Sequence, residues 1–211
     1  MKLYNDNPVS FTKGAEFPFN RRRIAKYREN IKLFEGDHFD VFNKWNSSRS
    51  LYVYTNLAGL ICKKSADFLF GEEAIITAGT GDSTPESVAV ERLVTDNYLG
   101  QQNYEAALSA SVLGDAFYRI RYGQEYGGEL PPELDPFRVF IESVSAFDVF
   151  PEVNPLNRKQ IKAFHICIPV LSPDDKWTLN CESHYAGYIR YHNYVLEPQT
   201  TDIDGVVETW K

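Results

Sequence analysis

At Gly114 the spacing of apolar residues changes from helical to strand-like, and this one switch limits the folds open to the 211-residue chain. Before it, apolar residues recur at the steps that place them on one face of an α-helix; after it, they alternate as on a pleated strand. Tyr118, Ile120 and Tyr122 stand against Arg119 and Arg121 just beyond the switch. Helices first and strands after exclude alternating βαβ units. The expected class is therefore α+β, with N-terminal helices followed by a mainly antiparallel, meander-connected β-sheet. The chain divides accordingly into an extended arm over 1–20, a helical part over 21–114 and an antiparallel β part over 115–211.

Local signals predict the helices. Asn20 offers an N-cap, Ile24, Tyr27, Ile31 and Phe34 form an apolar stripe, and Gly36 supplies a stop. Arg21, Arg22, Arg23, Lys26, Arg28 and Lys32 fill the other faces of this first helix. Three arginines in a first turn oppose the helix dipole unless an anion or acidic group compensates, so these six residues are the candidate subunit-interface set. A second helix is expected from Thr55 or Asn56 to Gly71. It carries Leu57, Ile61 and Phe68 in one row and Cys62, Ala66 and Leu69 in another, with a polar stripe of Lys63, Lys64 and Asp67 narrow enough to predict a mostly buried helix. A short strand over Ala74 to Ala78 is expected next. Thr84-Pro85-Glu86 then reads as cap, N1 proline and acidic first turn of a third helix that buries Val90, Leu93 and Val94. A fourth runs from Asn103 to Gly114.

Beyond it, strands are expected from Asp115 through Tyr122, and at Phe137 to Ile141, Ile161 to Val170, Trp177 to Tyr185, Gly187 to Leu196 and Val206 to Trp210, with a loop around Phe147-Asp148-Val149-Phe150-Pro151. His165, Cys167, Cys181 and His184 are residue types that hold zinc. The apolar face Phe164, Ile166, Ile168 and Val170 would pair Ile166 with Cys181, Ile168 with Leu179 and Val170 with Trp177. That register sets His165 opposite Glu182, scatters the four ligand types over both faces and argues against a metal. The three cysteines, Cys62, Cys167 and Cys181, imply no disulfide framework and are expected as buried thiols.

Composition removes other classes. The chain is 43% hydrophobic and 24% charged, which suits a packed core and not disorder. No apolar run approaches the ~18 residues of a membrane helix, and the start Met1-Lys2-Leu3-Tyr4-Asn5-Asp6 lacks a secretory pattern, so no membrane and a cytoplasmic site of synthesis are expected. The net charge of −7 conceals an asymmetry: twelve lysines and arginines against six acids up to Lys64, ten against twenty-three beyond it. The basic N-terminal segment suits a phosphate backbone, an acidic partner surface or simply solvent. Gly79-Thr80-Gly81-Asp82 lacks the lysine and hydroxyl residue of a phosphate loop, and Asp202-Ile203-Asp204-Gly205 lacks the twelfth-position Glu of a calcium loop. Asn46-Ser47-Ser48 fits a glycosylation triplet without a secretory route. With no nucleophile elbow and no Cys-His signature, neither enzyme nor cofactor is expected.

Four stretches carry a resemblance. Thr55-Asn56-Leu57-Ala58-Gly59-Leu60-Ile61 through Phe68-Leu69-Phe70-Gly71 is an Asn-initiated helix ending in aromatic-Gly. Tyr104 to Leu113 runs into Gly114-Asp115-Ala116-Phe117-Tyr118-Arg119. Ile141 to Pro151 is a strand followed by a Phe-Pro loop, and Gln160 to Ile166 is the strand after it. In this order and spacing they resemble the N-terminal, wing portion of the siphophage-type portal proteins of tailed bacteriophages, over roughly residues 20 to 196.

The resemblance implies a non-enzymatic subunit of a homo-oligomeric ring, typically a dodecamer, at one capsid vertex of the virion. Its implied partners are the major capsid protein, the terminase and head-completion or adaptor proteins, with double-stranded DNA passing through the channel without sequence-specific binding. Family members are longer, so the chain is expected to lack stem, clip and crown. A stand-alone adaptor domain that binds one protein through the basic helix is the alternative.

Overall fold

The computed structural model describes residues 8–37, 55–72, 74–78, 84–157, 159–201 and 207–210. The aromatic linker with Phe39, Phe42 and Trp45, the Asn46 triplet, Gly79-Thr80-Gly81-Asp82 and the stretch from Asp202 to Val206 lie outside them. The fold is α+β: among the described residues, four helices, α1 (Arg21–Glu35), α2 (Leu57–Phe70), α3 (Pro85–Asp96) and α4 (Leu99–Leu113), precede eight strands that pair antiparallel. The strands are β1 (Phe117–Gly123), β2 (Arg138–Val144), β3 (Val149–Val153), β4 (Ile161–Leu171), β5 (Trp177–Tyr185), β6 (Tyr188–Leu196), β7 (Pro198–Thr201) and β8 (Val207–Trp210). They form a β1-β2 hairpin, a β3-β4-β5-β6 meander and a β7-β8 pair.

Two compact units result. A sheet unit comprises Met1–Glu29 and Phe147–Lys211, and a helical unit comprises Asn30–Ala146. The β1-β2 hairpin thus belongs with the helices, and the arm and the start of α1 with the meander.

In the helical unit local chemistry sets the helix ends. The Asn56 side chain accepts from Gly59 N at 2.9 Å, which caps α2, and donates to the Phe34 carbonyl at the end of α1 at 2.8 Å. Thr84 accepts from Ser87 N at 3.2 Å with Pro85 at the first helical position of α3. Gly114 takes φ +86° and closes α4 with a bond from its N–H to Ala110 O. Two expectations fail here. Residues 74–78 form no strand, because no strand among the described residues pairs with them. And α4 begins four residues before Asn103, after Tyr98 turns the chain in the left-handed region; no side chain caps this start, so no local signal announces it.

The β1-β2 hairpin inverts the usual sense of alternation. Tyr118, Ile120 and Tyr122 are exposed, while Arg119 and Arg121 lie on the more covered face. Both arginines reach Glu142 on β2, at 3.6 and 3.2 Å, and the Arg121 guanidinium lies 3.7 Å from the centre of the Phe140 ring. Helix-derived amides close the other edge of β2: Asn97 accepts from Ile141 N and donates to Val139 O, and Gln102 accepts from Ser143 N.

The sheet unit has an aromatic core. Phe17 and Phe19 from the arm, Ile24 and Tyr27 from α1, Val149 and Phe150 from β3 and Trp210 from β8 are all buried. Phe17 also exchanges two backbone bonds of 2.9 Å with Trp210, so the end of the arm is part of the fold. The segment expected as a loop around Phe150 is instead strand β3, an edge position at which Pro151 is tolerated. Strand β7, which has no apolar alternation, was not expected at all.

Candidate functional site

Two groups of residues carry chemistry. The first is the basic face of α1, where Arg21, Arg22, Lys26, Arg28 and Lys32 are exposed. Arg21 is salt-bridged to Glu16, and Lys26 to Glu29 at 2.8 Å. Glu16 therefore supplies from within the sheet unit an acidic group for the arginine-rich first turn. Arg23 departs from the interface expectation: it is buried, donates to the Val149 carbonyl and to Tyr27 Oη, and lies over the Tyr27 and Phe150 rings. Arg23 adjoins Ile24 and stands one turn before Tyr27, so the buried face of this part of α1 takes it in. Asn20 occupies the N-cap position, but only its carbonyl receives helix bonds; at φ +51° its side chain is buried with no hydrogen-bond partner for either amide atom.

The second group lies on the inner face of the meander, and its register corrects the expected one. Cys167 faces Cys181, His165 faces Ser183 and Ala163 faces Tyr185, one residue away from the pairing of Ile166 with Cys181. The turn sets this offset: Ser172 N bonds to Lys176 O at 2.8 Å, and a one-residue slip exchanges the two faces. Ala163, His165 and Cys167 are fully covered, whereas Ile168 and Val170, expected inside, are about 40% exposed. His165, Cys167 and Cys181 thus share one face, and only His184 lies on the other. Among the described residues no group of three or more His, Cys, Asp or Glu is placed to hold a metal ion. Cys167 and Cys181 are buried thiols, as expected, and Cys62 is only half-buried.

His165 bonds through Nδ1 to Ser183 Oγ at 2.8 Å and through Nε2 to Glu152 Oε2 at 3.4 Å, not to Glu182. Because a carboxylate only accepts, the neutral ring donates from Nε2 and accepts the Ser183 proton at Nδ1. The order serine, imidazole, carboxylate is that of a nucleophile with its base and orienting acid. Its burial gives it another role: His165 is 0% and Ser183 1% exposed, the edges of Phe11 and Tyr185 cover the ring, and no substrate atom reaches the hydroxyl. The trio is a satisfied polar network that pins β3, β4 and β5 in one register.

Burial holds the His165 pKa below the ordinary 6.5, against the smaller opposing pull of Glu152. The unfolded chain takes up a proton that the folded ring resists, so this histidine's contribution to stability is complete above pH ~6.5 and declines as pH falls from there toward the folded value. Thermal midpoints recorded between pH 7 and 5 are expected to fall in the wild type and to fall less steeply in His165→Gln. Equal slopes would mean that the ring does not titrate across unfolding. Burial also pushes the Asp148 carboxyl up, an effect of opposite sign that Asp148→Asn removes.

Two open grooves lie elsewhere among the described residues. One of about 580 Å³ in the sheet unit is lined by Phe11, Phe17, Phe19, Leu179, Tyr194 and Leu196. Another of about 620 Å³ in the helical unit lies among Val88, Arg92, Leu134, Phe137 and Arg138.

The feature least expected from the sequence is α2. Only Gly59 and Ala66 are buried, while Leu57, Leu60, Ile61, Phe68 and Leu69 are all more than half exposed, Phe68 at 89%. The helix touches α4, with Tyr104 Oη donating to Asp67 at 3.0 Å, but its two apolar rows do not both meet that partner. No helix among the described residues is long and apolar enough to cross a membrane. No protein-family model matches the chain, and no curated protein is significantly similar to it.

Proposed function

We propose that the chain is the wing portion of a phage portal subunit, a structural protein that works as a closed ring of copies at a capsid vertex. The observation that carries this reading is the exposed apolar surface of α2. Soluble monomers rarely leave contiguous large apolar side chains in water, and five within one helix call for a covering surface. A second copy is the occupant that the charge pattern favours. The basic face of α1 and the acidic remainder of the chain are complementary, which suits a head-to-tail contact that closes into a ring. The order of elements also supports it: α2 ends at Phe70-Gly71 and α4 breaks at Gly114 into β1, along two of the stretches that carry the resemblance. On this reading the partners are further copies of the chain, the major capsid protein, the terminase and head-completion proteins, and DNA crosses the channel without sequence-specific contact.

Native mass spectrometry and negative-stain imaging of the longest form of the protein test the proposal. A ring of about twelve copies is expected. A full-length protein that stays monomeric at low and moderate salt overturns the ring, and capture of one protein partner by that monomer through α1 would establish the adaptor. Within the ring, replacing Arg21, Arg22, Lys26 and Arg28 by Glu is expected to lower the assembled fraction at least tenfold, and added salt to weaken wild-type assembly in the same sense. Arg23 is left in place because it is part of the core. Unchanged assembly at unchanged thermal stability removes α1 from the interface.

A further inference from the structure

Cys167 and Cys181 face each other across β4 and β5 with their sulfurs 3.0 Å apart. The backbone makes this a close pair. Cys167 N bonds to Asp148 O at 2.8 Å, so the Cys167 amide and carbonyl point toward the β3 side and away from β5. Counting in steps of two from the bonded pair Ser172 and Lys176 gives the same answer: Val170–Thr178, Ile168–Asn180 and Ile166–Glu182 are the hydrogen-bonded pairs, and Cys167–Cys181 lies between them. Non-hydrogen-bonded antiparallel pairs have Cα atoms about 4.5 Å apart, within the roughly 4.4–6.8 Å span of a disulfide. The same short spacing brings His165 to Ser183 on the next inward pair.

We propose that Cys167 and Cys181 are a redox modification site that closes into an intrachain disulfide across β4 and β5 when the chain meets a low-molecular-weight disulfide oxidant. One cysteine, as thiolate, attacks the oxidant and releases one thiol, giving a mixed disulfide. The second cysteine displaces the other half, so the protein loses two hydrogens and two electrons and the oxidant leaves as two thiols. The hydrogen bond between the two sulfurs, together with burial, holds the Cys167 thiol in its protonated form, so the intact sheet reacts slowly and closure occurs as β4 and β5 come together or part. Once formed, the bond is shielded by the burial of both residues, and it secures the register on which the His165 network depends. A reducing compartment keeps the pair as the free thiols described here. The inference stands independently of the ring.

The test uses the whole chain carrying Cys62→Ser, which leaves these two cysteines. After incubation with oxidised glutathione in mild urea and removal of both, the mass is expected to fall by about 2 Da. Trypsin cuts after Lys162, Lys176 and Arg190, so the two cysteines fall in separate peptides that remain linked until a reductant is added. The thermal midpoint is expected to rise on the order of 10 °C on oxidation and to return on reduction. Separate glutathione adducts on the two peptides, or two thiols that still alkylate after denaturation, overturn the proposal. So does a rise of equal size in Cys62→Ser, Cys181→Ala. Should that variant fail to fold, the peptide map of the parent decides.

Discussion

Replacing Phe150 by Ala is expected to destabilise the sheet unit by about 3–5 kcal/mol, the usual range for emptying a large aromatic site. Phe150 is fully buried, its ring meets Phe17 and Phe19 edge-on at 5.3 and 5.5 Å, and the Arg23 guanidinium lies over it. The loss has three parts: the transferred apolar area, the unfilled volume, and a weaker setting for a buried cation that also donates to Val149 O and Tyr27 Oη. Domains of this size hold a margin of about 5–15 kcal/mol, so the variant should unfold at much lower urea with an unchanged slope. A loss below 1 kcal/mol would mean that the arm and α1 do not pack on β3 in solution. Phe150→Leu, which keeps most of the volume, should recover more than half of the stability.

Gly59→Ala tests the helical unit, and two effects compete there. Inside a helix, alanine is favoured over glycine by about 1 kcal/mol. Against this, a methyl group at position 59 would lie 2.5 Å from the Phe34 carbonyl oxygen and 2.7 Å from the Asn56 amide nitrogen. The first is main chain and the second is the group that caps α2 while holding the end of α1. Neither moves cheaply, and overpacking of this kind costs about 1–3 kcal/mol, with the loss of the cap adding about 1 more. The net expectation is destabilisation by about 1–3 kcal/mol, measured by denaturant unfolding followed by helical circular dichroism. A stabilised variant would show that helix propensity prevails and that α1 and α2 are not in contact at this point. Asn56→Ala supplies the complement, since it removes both bonds without adding volume and should cost about 1–2 kcal/mol.

Where the helices begin and end was legible because their signals are local. Asn56, Thr84-Pro85 and Gly114 act within a few residues of their own backbone, and β5 occupies the predicted span because its alternation and bounding turns are equally local. The start of α4 at Tyr98 and strand β7 carry no such signal and could not be read. The candidate interface set was legible as a composition of α1, yet one of its members, Arg23, belongs to the interior.

Faces and registers were the part hidden from the sequence. Alternation shows that a strand has two faces but not which one meets the core, and on β4 both faces are apolar enough to qualify. What selects Ala163, His165 and Cys167 is an aromatic arm that precedes them by well over a hundred residues and covers that side. A single residue of offset in the Ser172–Lys176 turn then decides that Cys167 meets Cys181 and His165 meets Ser183. Likewise, the apolar rows of α2 promised a buried helix, yet Leu57, Ile61, Phe68 and Leu69 stay exposed because burial depends on what stands opposite. Periodicity and caps follow from short-range sterics and backbone hydrogen bonding, so they survive in a linear reading. Which surfaces meet depends on contacts between distant segments, which exist only once the chain has closed on itself.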